Sequence, residues 1–243
     1  QQKINKQVKY ALIVTVFLLL VQWIVFFIDQ GTALDLRSFG LRPRTIEGLI
    51  GILTYPLLHS GWEHITNNSV TAFVLLFGMF SFYGRLGWQV LAWSWIMSGL
   101  WMWIAARDGN HIGFSGVIYA LASFIFFAGV IRKYFRLMAL SAVVVFLYGS
   151  MVWGIFPMNP QISWEGHLFG AIAGIILAFY FKQSGPQRPK YSWELEEEED
   201  GLDFESQFME ENDVENKDIN KEPSTNADGP IQIQYVYKKK STD

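Results

Sequence analysis

Six apolar stretches, each close to the length that crosses a lipid bilayer, fill most of the chain between residues 10 and 181. A helix needs about 20 consecutive apolar residues to span the hydrocarbon core, and a spanning segment must satisfy its own backbone polar groups. The pattern predicts an all-α membrane protein with a six-transmembrane-helix bundle, and it excludes an ordinary soluble enzyme. The predicted spans lie near residues 10–28, 63–82, 86–106, 114–131, 137–156 and 166–181.

The charged residues divide the chain into two parts of different character. Residues 1–190 hold 14 Lys or Arg and 6 Asp or Glu, whereas residues 191–243 hold 5 and 16. So few acidic residues cannot cover the surface of a soluble globule. We predict a membrane domain over residues 1–185 and an acidic, disordered cytoplasmic tail over residues 186–243, because a polar and highly charged segment cannot offset the entropy of ordering.

The distribution of Lys and Arg between the spans predicts the orientation of the bundle. One alternating set of ends and connections holds ten positive residues and the opposite set holds four. Positive residues are retained on the cytoplasmic side, so both termini are predicted to be cytoplasmic and the first span to be retained rather than cleaved. The long first outer connection, about 29–62, contains its own short apolar stretch, which we expect in the outer interface or packed on the bundle.

Polar residues within the spans are costly and therefore informative. Eight of them lie toward the outer side, and all four histidines of the chain are on that side. We expect several of these side chains to converge on one water-accessible pocket. The eight residues are His64, Asn67, Asn68, Ser94, Ser98, Ser115, Tyr119 and His167. The chain has no cysteine, which excludes a cysteine nucleophile and a thiolate metal site.

Ser115 opens the fourth span between Gly113 and Gly116. Glycines on both sides of a serine permit a tight turn and leave the hydroxyl unobstructed, as a nucleophile requires. The alternative is that these small residues only permit close packing of membrane helices.

His167 begins the sixth span, three residues before Gly170 and seven before Gly174. The three residues share one helix face, where the glycines let another backbone approach closely. If the partner is the start of the fourth span, His167 can accept the proton of Ser115. The alternative is a histidine that only hydrogen-bonds between helices.

His64 and Asn68 are four residues apart and point the same way from the second span, while Asn67 is expected to face elsewhere. Their N–H groups, with the backbone N–H of Ser115, can supply the donors that an oxyanion needs. The alternative is that His64 and Asn68 only cap and join helices near the interface.

Three further residues are candidates for supporting roles. Tyr119 lies four residues after Ser115, where its ring can stack on His167 or simply pack. Ser94 and Ser98 form another pair at that spacing, which can hold water near a site within lipid or form a packing seam.

Together these motifs resemble the rhomboid family of intramembrane serine proteases over about residues 10–181. The resemblance comprises the six-helix core, the His and Asn four apart, G-x-S-G, the following tyrosine, and H-x-x-G-x-x-x-G on the sixth span. The long first outer connection and the serine pair resemble bacterial members. One departure is Glu165-Gly166 before His167, where many members have a small apolar residue; Gly166 is small as well.

The resemblance implies a Ser115/His167 catalytic dyad without an acidic third member, and an oxyanion hole involving His64, Asn68 and the Ser115 N–H. It implies hydrolysis of a peptide bond near the outer end of a substrate's transmembrane helix, with the fifth span and the loop at 155–160 gating access. The expected partners are transmembrane protein substrates and the lipid bilayer, with no nucleic acid, no metal and no cofactor. The expected location is a bacterial plasma membrane.

Three other functions make different predictions. A channel or transporter would tolerate the loss of Ser115 and would carry polar residues through to the inner side, where the spans are apolar. A metal-dependent membrane protease would show His-Glu-x-x-His, which the sequence lacks. A non-catalytic binder of membrane proteins would share the architecture and would also tolerate Ser115→Ala.

Overall fold

The computed structural model describes residues 2–133, 135–147, 153–159 and 162–187, and within these ranges the chain forms six long helices. No β-strand occurs in the described part of the chain, so the predicted all-α class is confirmed. The predicted acidic tail lies almost entirely outside the described residues. The helices are α1 (Gln2–Gly31), α2 (Trp62–Tyr83), α3 (Leu86–Ala105), α4 (Ser115–Ile131), α5 (Phe135–Leu147) and α6 (Trp164–Tyr180).

Five of the six predicted spans match a helix closely, although α1 is longer than predicted at both ends. The predicted end of the fifth span at residue 156 is wrong, because the chain already turns between Gly154 and Met158. Gly154 and Pro157 both disfavour a continuing helix. Part of the predicted gate, residues 148–152 and 160, lies outside the described residues.

By length and composition alone, two of the described helices are long and apolar enough to cross a bilayer. They are α1, over Lys6–Gly31, and α2. The helices α4 and α6 are strongly apolar but have 17 residues each. At 1.5 Å per residue they extend about 25 Å, slightly less than the roughly 30 Å of hydrocarbon. The predictions of six spans and of cytoplasmic termini therefore stay predictions.

The helix α4 is the centre of the bundle and packs against α2, α3, α5 and α6. Its side chains are buried on nearly every side, among them Leu121, Phe124 and Ile125 with no exposed surface. A helix that is apolar all round is stable where neighbouring helices surround it. This position fixes α4, and so Ser115 at its start, relative to four other helices.

The contact between α4 and α6 is made by backbone rather than by side chains. A Cβ atom on Gly170 would collide with the carbonyl oxygen of Gly116, and one on Gly174 would collide with that of Ala120. The glycine spacing on the sixth span predicts this close approach, and the prediction is confirmed. As a result, the first turns of α4 and α6 meet at one end of the bundle.

The first outer connection packs on α3. The indole N–H of Trp95 donates to the Ile52 carbonyl (3.1 Å), and that of Trp103 donates to the Thr45 carbonyl (2.8 Å). Tyr55 is fully buried beside Ser98. Of the two predicted placements, packing on the bundle is confirmed. The segment contains the short helical turns Leu36–Phe39, Glu47–Leu49, Gly51–Thr54 and Tyr55–Leu57.

Arg132 joins the other ends of α2, α4 and α6. Its guanidinium donates to the carbonyls of Phe181 (2.5 Å) and Ser184 (2.7 Å) and to the hydroxyl of Tyr83 (3.1 Å). The carbonyls at a helix C-terminus have no partner within the helix. A buried cation therefore satisfies the end of α6 and holds it against the end of α4.

Replacing Gly170 with valine should destabilise the bundle, because the side chain would collide with the backbone of α4. Overpacking of this kind costs on the order of 1–3 kcal/mol or more, which lowers the melting temperature by several degrees in a protein of this size. The measurement is thermal unfolding in detergent. The matched control is Gly31→Ala, where an added Cβ meets no atom within 4 Å; equal melting temperatures for both variants would contradict this packing.

Candidate active site

A cavity of about 820 Å³ lies at the end of the bundle where α2, α4 and α6 begin. Four of the predicted site residues line it: His64, Asn68, Ser115 and His167. His111 lines it as well, whereas His59 is buried just behind Asn68. The expected convergence of the outer polar side chains on one pocket is therefore observed for most of them.

Ser115 and His167 are in direct hydrogen-bond contact. The Ser115 Oγ lies 2.8 Å from Nε2 of His167, and Nδ1 of His167 lies 2.9 Å from the carbonyl oxygen of Gly154. Because a carbonyl can only accept, Nδ1 carries the proton and Nε2 is left to accept from the serine hydroxyl. This is the tautomer in which an imidazole can remove a proton from serine.

Two further contacts fix the His167 ring. Tyr119 stacks on it, with ring centroids 4.2 Å apart and planes inclined by 11°. A Cβ at Gly154 would collide with the Tyr119 hydroxyl and lie 3.0 Å from Nδ1 of His167. The stacking predicted for Tyr119 is thus present, and the loop after α5 supplies a carbonyl where other nucleophile–base pairs use a carboxylate.

The N–H groups of His64 and Asn68 point toward Gly113. Nδ1 of His64 accepts a hydrogen bond from the backbone N–H of Ser60 (3.5 Å) and lies 3.1 Å from the Ser60 hydroxyl. Because Nδ1 is the acceptor, Nε2 of His64 carries the proton. A Cβ at Gly113 would lie 2.5 Å from that Nε2 and 3.5 Å from Nδ2 of Asn68. Gly113 also has φ +118°, which disfavours any side chain. Glycine here leaves open the space between these donors.

Asn68 is held in place by His59. The Asn68 side-chain N–H donates to Nε2 of His59 (3.1 Å), and the His59 and His64 rings meet edge to face with centroids 5.0 Å apart. His59 is 2% exposed. Burial, reinforced by the nearby His64, lowers the pKa of His59 to about 3, so His59 is neutral and can accept this hydrogen bond.

Ser94 and Ser98 are completely buried on α3 and do not line the described part of the cavity. The Ser98 hydroxyl lies 2.7 Å from the Tyr55 hydroxyl and donates to the Ser94 carbonyl (2.5 Å). The Tyr55 carbonyl accepts the N–H of Gly113 (2.8 Å). Tyr55 therefore links the serine pair to Gly113 beside the cavity, and the role of the pair in holding water stays a prediction.

One prediction about the cavity is wrong, and several of its residues were not predicted. Asn67 lines the cavity, because the first turns of α2 are exposed on more than one face. The roles of Tyr55, His59 and Gly154 depend on contacts between distant parts of the chain. No local spacing marks them, although His59 stands out as a histidine five residues before His64.

Comparison with known proteins identifies the fold family. The model of the Rhomboid domain matches residues 47–184, more than half of the chain. The chain belongs to the rhomboid family. The matched region contains α2 to α6 and every residue that lines the cavity. Together with the apolar helices, the rhomboid domain marks an integral membrane protein.

Individual relatives support the same assignment. An uncharacterized protein of Mycobacterium tuberculosis (strain ATCC 25618 / H37Rv) is 36% identical over 179 residues, covering 68% of this chain and 72% of that protein. An uncharacterized protein of Mycobacterium leprae (strain TN) is 33% identical over 178 residues, 68% of each chain. A candidate rhomboid protease by name, YdcA of Bacillus subtilis (strain 168), is 27% identical over 139 residues, 56% of this chain and 69% of that protein.

Lowering the pH should destabilise this rhomboid domain partly through His59. The unfolded chain binds a proton near pH 6.5, whereas the pKa of folded His59 is about 3. The contribution of neutral His59 to the free energy of unfolding is therefore fully present above pH 6.5. It is lost as the pH falls from 6.5 toward 3. Between pH 7 and pH 4.5, wild type should lose on the order of 2 kcal/mol more free energy of unfolding than His59→Gln. Thermal or denaturant unfolding in detergent measures this, and equal losses would contradict a neutral, buried His59.

Proposed function

We propose that this protein is an intramembrane serine endopeptidase that cleaves transmembrane substrates near the outer membrane face. The observation that carries the proposal is the 2.8 Å contact between the Ser115 Oγ and Nε2 of His167, with the proton of Nδ1 held by the Gly154 carbonyl. Membership of the rhomboid family supports the same activity. Within the described residues, no group of three or more His, Asp or Glu side chains is arranged to bind a metal ion.

The proposed reaction has two stages. The Ser115 oxygen bonds to the scissile carbonyl carbon while its proton passes to Nε2 of His167. The carbon–nitrogen bond then breaks, the amine leaves with that proton, and an acyl-enzyme remains. Water attacks the acyl-enzyme with His167 again taking the proton, the ester bond breaks, and the proton returns to Ser115.

A backbone carbonyl suits this dyad better than a carboxylate would. In a bilayer, an isolated buried carboxylate is costly, whereas the partly buried Gly154 carbonyl is a neutral acceptor that needs a donor. The carbonyl dipole favours the imidazolium that forms transiently. Stacking on Tyr119 holds the ring in the plane that joins Ser115 to Gly154.

The proposed oxyanion hole is the space beside Gly113. His64 Nε2–H and an N–H of the Asn68 side chain converge there. Ser115 is the first residue of α4, and the first N–H groups of a helix have no partner within it. Its N–H is therefore a third donor, favoured by the positive end of the helix.

The membrane topology is part of the proposal. We place six spans across the bilayer with both termini in the cytoplasm of a bacterium, so that the cavity lies at the outer face. Three of the four arginines on that face form ion pairs with acidic residues, which reduces the net positive charge there. The pairs are Arg37–Asp29, Arg44–Asp108 and Arg107–Glu165. A substrate helix satisfies its own carbonyls, so it must unwind locally before Ser115 can attack.

Ser115→Ala should abolish cleavage of a transmembrane substrate without unfolding the bundle, because it removes only the nucleophilic oxygen. The measurement is cleavage of a fluorogenic transmembrane peptide by purified protein in proteoliposomes. The matched control is Ser123→Ala, a partly buried serine two turns further along α4, which should retain activity. Turnover by Ser115→Ala at the wild-type rate would overturn the proposal in favour of another function.

Asn68→Ala should lower kcat about 10²–10³-fold, the usual effect of removing one oxyanion donor. Gly113→Ala should be at least as harmful, because its Cβ would occupy the space that the oxyanion needs. Both variants should still bind substrate, so KM should change little. An unchanged kcat in Asn68→Ala would remove Asn68 from the oxyanion hole, whatever the fate of Gly113→Ala.

A further inference from the structure

The loop between α3 and α4 is tied to the start of α6 by a set of polar contacts outside the dyad. His111 stands at the centre of this set. Its Nε2–H donates to the Arg107 carbonyl (2.9 Å), which leaves Nδ1 to accept from the Ser163 hydroxyl (2.6 Å). His111 also exchanges two backbone hydrogen bonds with Leu41 of the first outer connection (2.8 and 3.0 Å).

An ion pair with one buried partner, Glu165, lies beside these contacts. The Arg107 Nε is 3.3 Å from Oε1 of Glu165, and another guanidinium nitrogen donates to the Ile162 carbonyl (2.6 Å). Glu165 is 3% exposed, while the side chain of Arg107 lies at the wall of the cavity and is partly exposed. We call Arg107, His111, Ser163 and Glu165 the outer strap.

The strap uses residues that would ordinarily stabilise their own helix. Ser163 is the N-cap residue of α6, yet its side chain makes no capping hydrogen bond. Serine is among the best N-cap residues, and here its hydroxyl is directed to His111 in another loop. Glu165, in the first turn of α6, likewise reaches across to Arg107. The N-terminus of α4 also has no side-chain cap.

We infer that the outer strap positions the catalytic dyad, which makes its four members positioning residues for the proposed protease. Each end of the strap adjoins a dyad residue: His111 is four residues before Ser115, and Glu165 is two residues before His167. The inference rests on the proposed function, because only that function requires Ser115 and His167 at a fixed distance.

The geometry explains why the strap is needed in addition to the helix packing. The glycine contacts between α4 and α6 fix the two helix axes at and beyond Gly116 and Gly170. Ser115 and His167 lie in the first turns, where helix ends are the least constrained. A misplacement of about 1 Å between reacting groups can reduce a rate on the order of 10²-fold. The strap restrains these two first turns against each other.

A serine series separates positioning from helix capping. Ser163→Ala and Ser163→Gly both remove the hydroxyl, but glycine is nearly as good an N-cap as serine, whereas alanine is poor. Ser163→Thr keeps the hydroxyl. We expect kcat to fall about 10–100-fold in the alanine and glycine variants and to stay within about threefold of wild type in the threonine variant, with KM nearly unchanged in all three.

Glu165→Gln tests the ion pair independently, because it removes the charge and keeps the shape. It should lower kcat with KM nearly unchanged, and should raise amide hydrogen exchange over residues 162–169. If this variant does not fold, the Ser163 series still decides the inference. All variants are compared as the full chain in proteoliposomes.

Two results would overturn the inference. One is a wild-type kcat in Ser163→Ala. The other is activity retained by Ser163→Gly but lost by Ser163→Ala, which would assign the serine to capping. Failure of the proposed function would look different, since wild type would not cleave at all. In that case, amide hydrogen exchange over residues 162–169 decides whether the outer strap restrains the start of α6. Faster exchange in Ser163→Ala and Ser163→Gly, but not in Ser163→Thr, supports the strap. Unchanged exchange in all three variants refutes it.

Discussion

The close approach of α4 and α6 is the constraint on which the rest of the structure depends. Gly170 and Gly174 leave no room for a side chain between the two backbones, so the helices pack closely and begin at the same end of the bundle. In lipid, the hydrophobic effect does little to hold apolar helices together, so close van der Waals packing of this kind drives their association. It also brings the first turns of both helices together, so that Ser115 and His167 lie within hydrogen-bond distance.

The polar groups at this end are arranged so that the dyad itself carries no fixed charge. His167 is held by a carbonyl, and Asn68 by a neutral His59. Two charged side chains that line the cavity are paired, Arg107 with Glu165 and Asp108 with Arg44. Burying a lone charge is costly in a low dielectric. A neutral dyad with ion pairs at its margin therefore suits the proposed reaction in a low-dielectric site.

The sequence predicted the elements of this site better than the contacts between them. Helical spacing was enough to place His64 and Asn68 together and to predict the glycine contact, because these features are local or repeat along one face. The support given by His59 and Gly154 joins segments far apart in sequence, which no spacing can indicate. The prediction for Asn67 is wrong because helical periodicity alone assumes that one face is used, whereas the start of α2 is exposed on several faces.

The most direct test of the central claim, an activated Ser115, is to treat the purified protein with a fluorophosphonate and locate the adduct by peptide mass spectrometry. We expect one adduct, on Ser115, that forms in wild type and is lost in His167→Ala, because the serine is reactive only while Nε2 of His167 accepts its proton. No adduct on folded wild type, or an adduct that forms equally well without His167, would contradict the claim.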